Sequence, residues 1–156
     1  VSTRAKEMAA LGRIKYLTIH CAATPEGRNV TARDVEKWDI AKFGQKSYHL
    51  IVLLDGTIHR SLADAVKGAH VGGHNTGNIG VCYIGGVAKN GRTVKDTRTQ
   101  AQKQALRNIV AQYRARFPGI VVRGHRDWSP DKNHDGRITP NEWMKGCPSF
   151  DVATQL

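Results

Sequence analysis

The sequence predicts an α/β fold, a single domain built on a central mixed β-sheet flanked by helices. Three observations predict it. Short apolar, β-branched runs alternate with longer helical segments along the chain. The helical segments carry capping and stop signals at their ends. The length of 156 residues suits one domain with a core that needs no covalent staples.

The elements follow in order. IKYLTIHC (14–21) is β-branched and apolar, as a buried strand requires. TARDVEKWDIAKFG (31–44) reads as a helix with Thr31 as its N-cap and Gly44 as its stop. YHLIVLLDGTIHR (48–60) reads as two strands joined at Asp55-Gly56. IGVCYIGG (79–86) is a further strand. TQAQKQALRNIVAQYRARFPG (99–119) is the clearest helix. Thr99 and Gln102 form a capping box, and Leu106, Ile109, Val110 and Tyr113 recur on one face. IVVRGH (120–125) is a last strand. There is no internal repeat and no low-complexity linker, so the domain is expected to span 1–156.

Composition excludes some classes. No apolar run approaches the roughly 18 residues needed to span a bilayer, so no membrane insertion is expected. The N-terminal stretch VSTRAKEMAALGRIKY has no apolar core of the kind a secretory signal requires. The net charge of +11, from 24 Lys and Arg against 13 Asp and Glu, attracts polyanions without choosing among them. Nucleic acid is not expected as a partner: there is no helix-turn-helix spacing, aromatic RNA-binding signature or dense Lys/Arg tract. Three cysteines without a CxxC pair argue against a disulfide framework. Cys82 lies in an apolar run and reads as a small buried hydrophobe. Cys21 should point to the opposite face of its strand from His20.

Two groups of residues have the chemistry of metal ligands. His20 and His125 end the first and last strands, and in α/β sheets sites form outside strand ends. With Cys147 they would make a three-ligand zinc set that leaves a fourth position for water. Spacing alone does not establish this set, because the three residues are far apart in the chain. His49, beside a strand start, reads as structural, and His59 and His134 as surface residues. The second group is DKNHDGRITPNE (131–142), which fits the loop of an EF-hand. Asp131, Asn133, Asp135 and Glu142 occupy positions one, three, five and twelve. Arg137 would offer its backbone carbonyl at position seven, and Gly136 stands at the sharp turn of position six. The competing reading is an acidic surface turn without an ion, and PNEWMKG offers at most a short flanking helix.

Six blocks in this order, TIHCAAT, SYHLIVLLDGTI, GAHVGGHNTGNIGVCYIGG, TQAQKQAL, VRGHRDW and KGCPSFD, together resemble the zinc N-acetylmuramoyl-L-alanine amidase family. That family includes phage endolysins and the peptidoglycan recognition proteins. The resemblance covers about residues 14 to 151 and is closest in detail to the short phage endolysins. It implies that His20, His125 and Cys147 hold zinc, that Tyr48 and Lys145 are the active-site tyrosine and lysine, and that His70 and Asn75 contact substrate. His74 is a weaker contact.

The implied reaction is hydrolysis of the amide between N-acetylmuramic acid and L-alanine in bacterial peptidoglycan. Zinc would make hydroxide available near neutral pH, and Lys145 could stabilise the oxyanion. The expected protein is a monomer, made in the host cytoplasm and acting on the wall after release by a separate permeabilising protein. One departure from the short phage relatives is the segment 126–146, which lengthens their loop and contains the calcium-like motif. The alternative reading is a non-catalytic muropeptide-binding module, which typically lacks a ligand, often the cysteine. A regulatory protein that binds a polymerase, as some phage amidases also do, is neither supported nor excluded.

Overall fold

Helix α1 (Thr3–Gly12) opens the computed structural model, which describes residues 2–156. No apolar periodicity predicts this helix, and none of its residues is buried. Good helix formers and the Ser2 side chain, which accepts the Ala5 N–H, account for it. The chain continues through β1 (Tyr16–Cys21), β2 (Thr24–Pro25), α2 (Ala32–Phe43), β3 (Leu50–Val52) and β4 (Ile58–Arg60). Then come β5 (Asn78–Tyr83), β6 (Gly86–Val87), α3 (Gln100–Arg116), β7 (Val121–Gly124) and α4 (Val152–Gln155). Two 3-10 turns, His125–Trp128 and Pro140–Glu142, lie between β7 and α4.

The main sheet has the order β4-β3-β5-β1-β7. It is mixed as expected: β3, β5, β1 and β7 are parallel, and β4 returns antiparallel along β3. The helix signals hold residue by residue. Thr31 and Asp34 cap α2 reciprocally, and Gly44 ends it at φ +76. Thr99 and Gln102 cap α3 in the same way. The strands on either side of Asp55-Gly56 are shorter than the 48–60 run, three residues each, and residues 53–57 form the turn. That turn abuts the start of α3: a side chain at Gly56 would place its Cβ 2.9 Å from the Ala101 carbonyl oxygen.

Alternation along the strands divides the sheet into two faces. Leu17, Ile19 and Cys21 of β1 join Leu50 and Val52 of β3 and Ile79, Val81 and Tyr83 of β5. They pack against Leu106, Ile109, Val110 and Tyr113 of α3 to form the main core. The residues between them point the other way. Thr18, His20, Asn78 and Cys82 are all buried on that second face, with His49 and Ile51 from β3 and the residue before it. Cys21 and His20 thus lie on opposite faces, as expected. A smaller apolar cluster of Val30, Val35, Ile51 and Ile84 brings α2 over one end of this face, with Tyr48 against it.

Candidate active site

Parallel pairing brings the two strand-end histidines together. Ile19 of β1 pairs with Gly124 of β7, so His20 and His125 stand side by side at the carboxyl ends of neighbouring strands. Their Nδ1 atoms are 3.2 Å apart. The third residue arrives from the C-terminal segment. Tyr83 donates its hydroxyl to the Pro148 carbonyl at 2.6 Å, Ser149 donates to the Gly86 carbonyl at 2.7 Å, and the Arg126 N–H donates to the Cys147 carbonyl at 2.8 Å. These bonds hold Cys147 with its Sγ 3.1 Å from the Cys21 N–H, which donates to it. One donor atom each from His20, His125 and Cys147 lie within 4.8 Å of one another.

This donor set fits zinc. Two imidazole nitrogens bound tetrahedrally at about 2.05 Å would stand roughly 3.3 Å apart, close to the observed separation of the Nδ1 atoms. Burial lowers His20 well below the ordinary histidine range, and the charges of His70, His125 and Lys145 add to the effect. Burial, then the charge of Lys145, lowers His125 to about 4. Both rings are therefore neutral near pH 7, the state in which imidazole ligates metal. Burial pushes the Cys147 thiol up; a divalent cation reverses that preference, because a coordinating thiol is deprotonated outright.

Around these three donors the expected residues divide. The Tyr48 ring lies 5.1 Å from the His20 ring, centroid to centroid. Burial first, then nearby thiols and Asp39, hold the Tyr48 hydroxyl well above its ordinary range, so it stays protonated near pH 7. Lys145 is exposed and lines a cavity of about 480 Å³ together with His125, Val71, His74, Trp128 and Met144.

His70 and Asn75, expected as substrate contacts, both make hydrogen bonds within the protein. His70 is 7% exposed, with its Nδ1 2.9 Å from His20 Nε2 and its Nε2 2.8 Å from the Asn78 carbonyl oxygen. Asn75 accepts the backbone N–H groups of His70 and Val71 through Oδ1. These contacts engage both ring nitrogens of His70 and the Oδ1 of Asn75, an arrangement that only the fold reveals. His49 is structural as expected: its Nδ1 accepts from the Gly80 N–H and its Nε2 reaches the Val66 carbonyl oxygen. His59 and His134 lie on the surface.

The long segment after His125 builds one wall of the cavity, using residues that spacing did not single out. Trp128 donates Nε1–H to Thr18 at 3.0 Å and stacks near His74, ring centroids 4.6 Å apart. The Arg126 guanidinium lies 3.8 Å from the centre of the Trp143 ring. Trp128 lies three residues after His125 in RGHRDW, the one hint in the sequence that it would reach the site.

Residues 131–142 form a closed loop between Pro130 and Met144, which both line the cavity. Gly136 takes φ +81, as position six requires, and its N–H donates to Asp131 Oδ2 at 2.8 Å. Carboxylate oxygens of Asp131, Asp135 and Glu142 lie within 4.8 Å of one another. Asn133 accepts from the Asp135 N–H, and the Arg137 N–H donates to Asp135. Glu142 accepts backbone N–H groups of Thr139, Asn133 and Lys132, and this bonding, led by Thr139, holds its carboxyl down to about 2.

Comparison with known proteins identifies the family. The family model described as N-acetylmuramoyl-L-alanine amidase matches residues 10–141. An uncharacterised protein of Haemophilus influenzae is 42% identical over 103 residues, 66% of this chain and 88% of that one. The endolysin of Enterobacteria phage T3 is 33% identical over 135 residues, 86% of this chain and 80% of its own. Among solved structures, the N-acetylmuramoyl-L-alanine amidase LysC from Clostridium intestinale superposes with a TM-score of 0.65 at 18% identity, covering 89% of this chain and 78% of that one. That likeness concerns the fold.

Proposed function

The chain belongs to the N-acetylmuramoyl-L-alanine amidase family, and from that premise we propose that it works as a zinc-dependent, endolysin-type hydrolase of the bacterial cell wall. It cleaves the amide between N-acetylmuramic acid and L-alanine of peptidoglycan. The observation that carries the zinc reading is the convergence of His20, His125 and Cys147 beside the cavity that holds Lys145. A binding module without activity is disfavoured by the same observation, since all three donors are present and within reach of one another.

Zinc at this position would polarise the scissile carbonyl and bring the pKa of water towards roughly 7. The protein's own residues do the rest. The cavity seats the substrate against His125 with the amide carbonyl facing the Lys145 ammonium. As the carbonyl carbon becomes tetrahedral, its oxygen gains negative charge, which Lys145 stabilises as a point charge. Tyr48, protonated because it is buried, donates a hydrogen bond that orients the attacking water or the substrate.

The reaction class has a direct test. Digestion of purified peptidoglycan is expected to release new L-alanine amino termini and no new reducing sugar ends. The appearance of reducing ends would make the protein a glycosidase and overturn the reading.

For the 131–142 loop we propose a structural calcium ion held by Asp131, Asn133, Asp135, the Arg137 carbonyl and Glu142. Two observations support it besides the motif. The carboxylate oxygens converge, and Asp131 Oδ1 is buried without a hydrogen-bond partner among the described residues. Hard oxygen donors suit calcium and compete poorly for zinc. Bound calcium would stiffen the wall that leads to Lys145 and Cys147. Calcium is therefore expected to raise the melting temperature, and a calcium-selective chelator to lower activity with zinc still bound. The double variant Asp131→Ala, Glu142→Ala should lose this response. Calorimetry that finds no calcium uptake by the wild type at millimolar concentration would leave the loop an acidic turn.

A further inference from the structure

A carbonyl oxygen can only accept a hydrogen bond, and that fact sets the direction of a chain of two buried imidazoles. The Asn78 carbonyl oxygen lies 2.8 Å from His70 Nε2, so this nitrogen carries the proton. A neutral imidazole has one N–H, which leaves His70 Nδ1 as an acceptor. His70 Nδ1 lies 2.9 Å from His20 Nε2, so the His20 proton is on Nε2. His20 Nδ1 then holds a bare lone pair, and it is the atom 3.2 Å from His125 Nδ1.

The alternatives fail on burial. If His70 were a cation, both its nitrogens would donate, and His20 would be forced into the tautomer with a proton on Nδ1. His70 is 7% exposed and His20 1%, an environment that opposes such a charge.

The fold builds a seat for this ring. A Cβ at Gly80 would lie 2.8 Å from His70 Cγ, and one at Gly68 would lie 3.1 Å from His70 Cδ2 and 2.3 Å from the Ser47 carbonyl oxygen. Asn75 holds the His70 backbone from one side. Asn78, which supplies the carbonyl, is itself fixed: its Oδ1 accepts from Thr18 at 2.7 Å and its Nδ2 donates to the His74 carbonyl at 2.9 Å.

We propose that His70 is a positioning residue, which locks His20 in the Nε2–H tautomer and aims its Nδ1 lone pair at the zinc position. The proposal rests on the zinc reading above and replaces the substrate-contact role that resemblance implies for His70. Outer partners of this kind typically carry a 10–100-fold share of metal affinity.

The test uses the full chain and two readouts besides activity. The first is the zinc dissociation constant, from competition with a chromophoric chelator. The second is the ¹⁵N chemical shift pattern of the histidine rings in the protein stripped of metal. Wild type should show His20 protonated on Nε2. His70→Phe, which cannot accept, should weaken zinc binding by about 10–100-fold and mix the His20 tautomers. His70→Asn can place an amide oxygen near the position of Nδ1 and should recover most of the affinity. A folded His70→Phe protein with wild-type zinc affinity and an unchanged His20 pattern would overturn the proposal. So would a wild-type spectrum with the His20 proton on Nδ1, which needs no variant at all. Failure of the wild type to bind zinc would instead strike at the ligand set itself, while the ring spectrum would still decide the tautomer.

Discussion

Alanine in place of His125 is expected to leave a folded protein that retains no zinc and cleaves no peptidoglycan. His125 sits at the end of β7 and belongs to neither apolar cluster, so the sheet and its packing against α3 survive the change. What disappears is one of three donors. A catalytic zinc site uses three protein ligands, and two remaining donors cannot hold the ion against solvent. The affinity should fall by more than about 100-fold, beyond the range that loss of an outer partner produces. Metal analysis of the purified variant, circular dichroism and clearing of a peptidoglycan suspension measure the three parts of this result. Full activity of the variant after chelation would remove His125 from the site.

The second large effect separates chemistry from metal binding. Lys145→Ala and Tyr48→Phe should each keep the zinc and lose activity, by roughly a hundredfold where one stabilising donor of the transition state is removed. Lys145 is exposed and reaches the site only through its charge, which helps to lower His20 and His125. Its removal leaves burial, the larger cause in both histidines, untouched, so both stay neutral and able to ligate. Tyr48→Phe keeps the ring against the smaller apolar cluster and deletes only the hydroxyl. The loss should fall mainly on kcat. Zinc loss in either variant would make that residue structural.

How much of this could be read from the chain depends on how local each signal is. The caps of α2 and α3 involve residues three apart, and the buried strands are continuous apolar runs, so both were legible. Helix α1 was not, because its apolar residues form no stripe and only Leu11, partly buried, packs against the core. The ligand set was visible only through resemblance, since His20 and Cys147 meet by way of strand pairing and a pinned C-terminal segment. The place of His70 was beyond reach for the same reason. Its partners Asn78 and His20 come from different strands, and their order across the sheet decides which nitrogen faces which. The wall made by Arg126, Trp128 and Trp143 depends on contacts within a long irregular segment, where no periodicity exists to read.

The two-faced sheet also says where this protein can tolerate change. Neighbouring residues of β1 serve opposite ends: Leu17 and Ile19 exclude water, while Thr18 and His20 face the reaction. Drift among the α3-facing residues would be absorbed as lost thermal margin, with the catalytic groups undisturbed. Drift on the histidine side would be absorbed as lost turnover in a protein that still folds. Adding or deleting one residue inside Tyr16–Cys21 spares neither, because it exchanges the two sides of the strand in a single step. Substitution along this strand thus costs either stability or turnover, whereas a change in its length costs both.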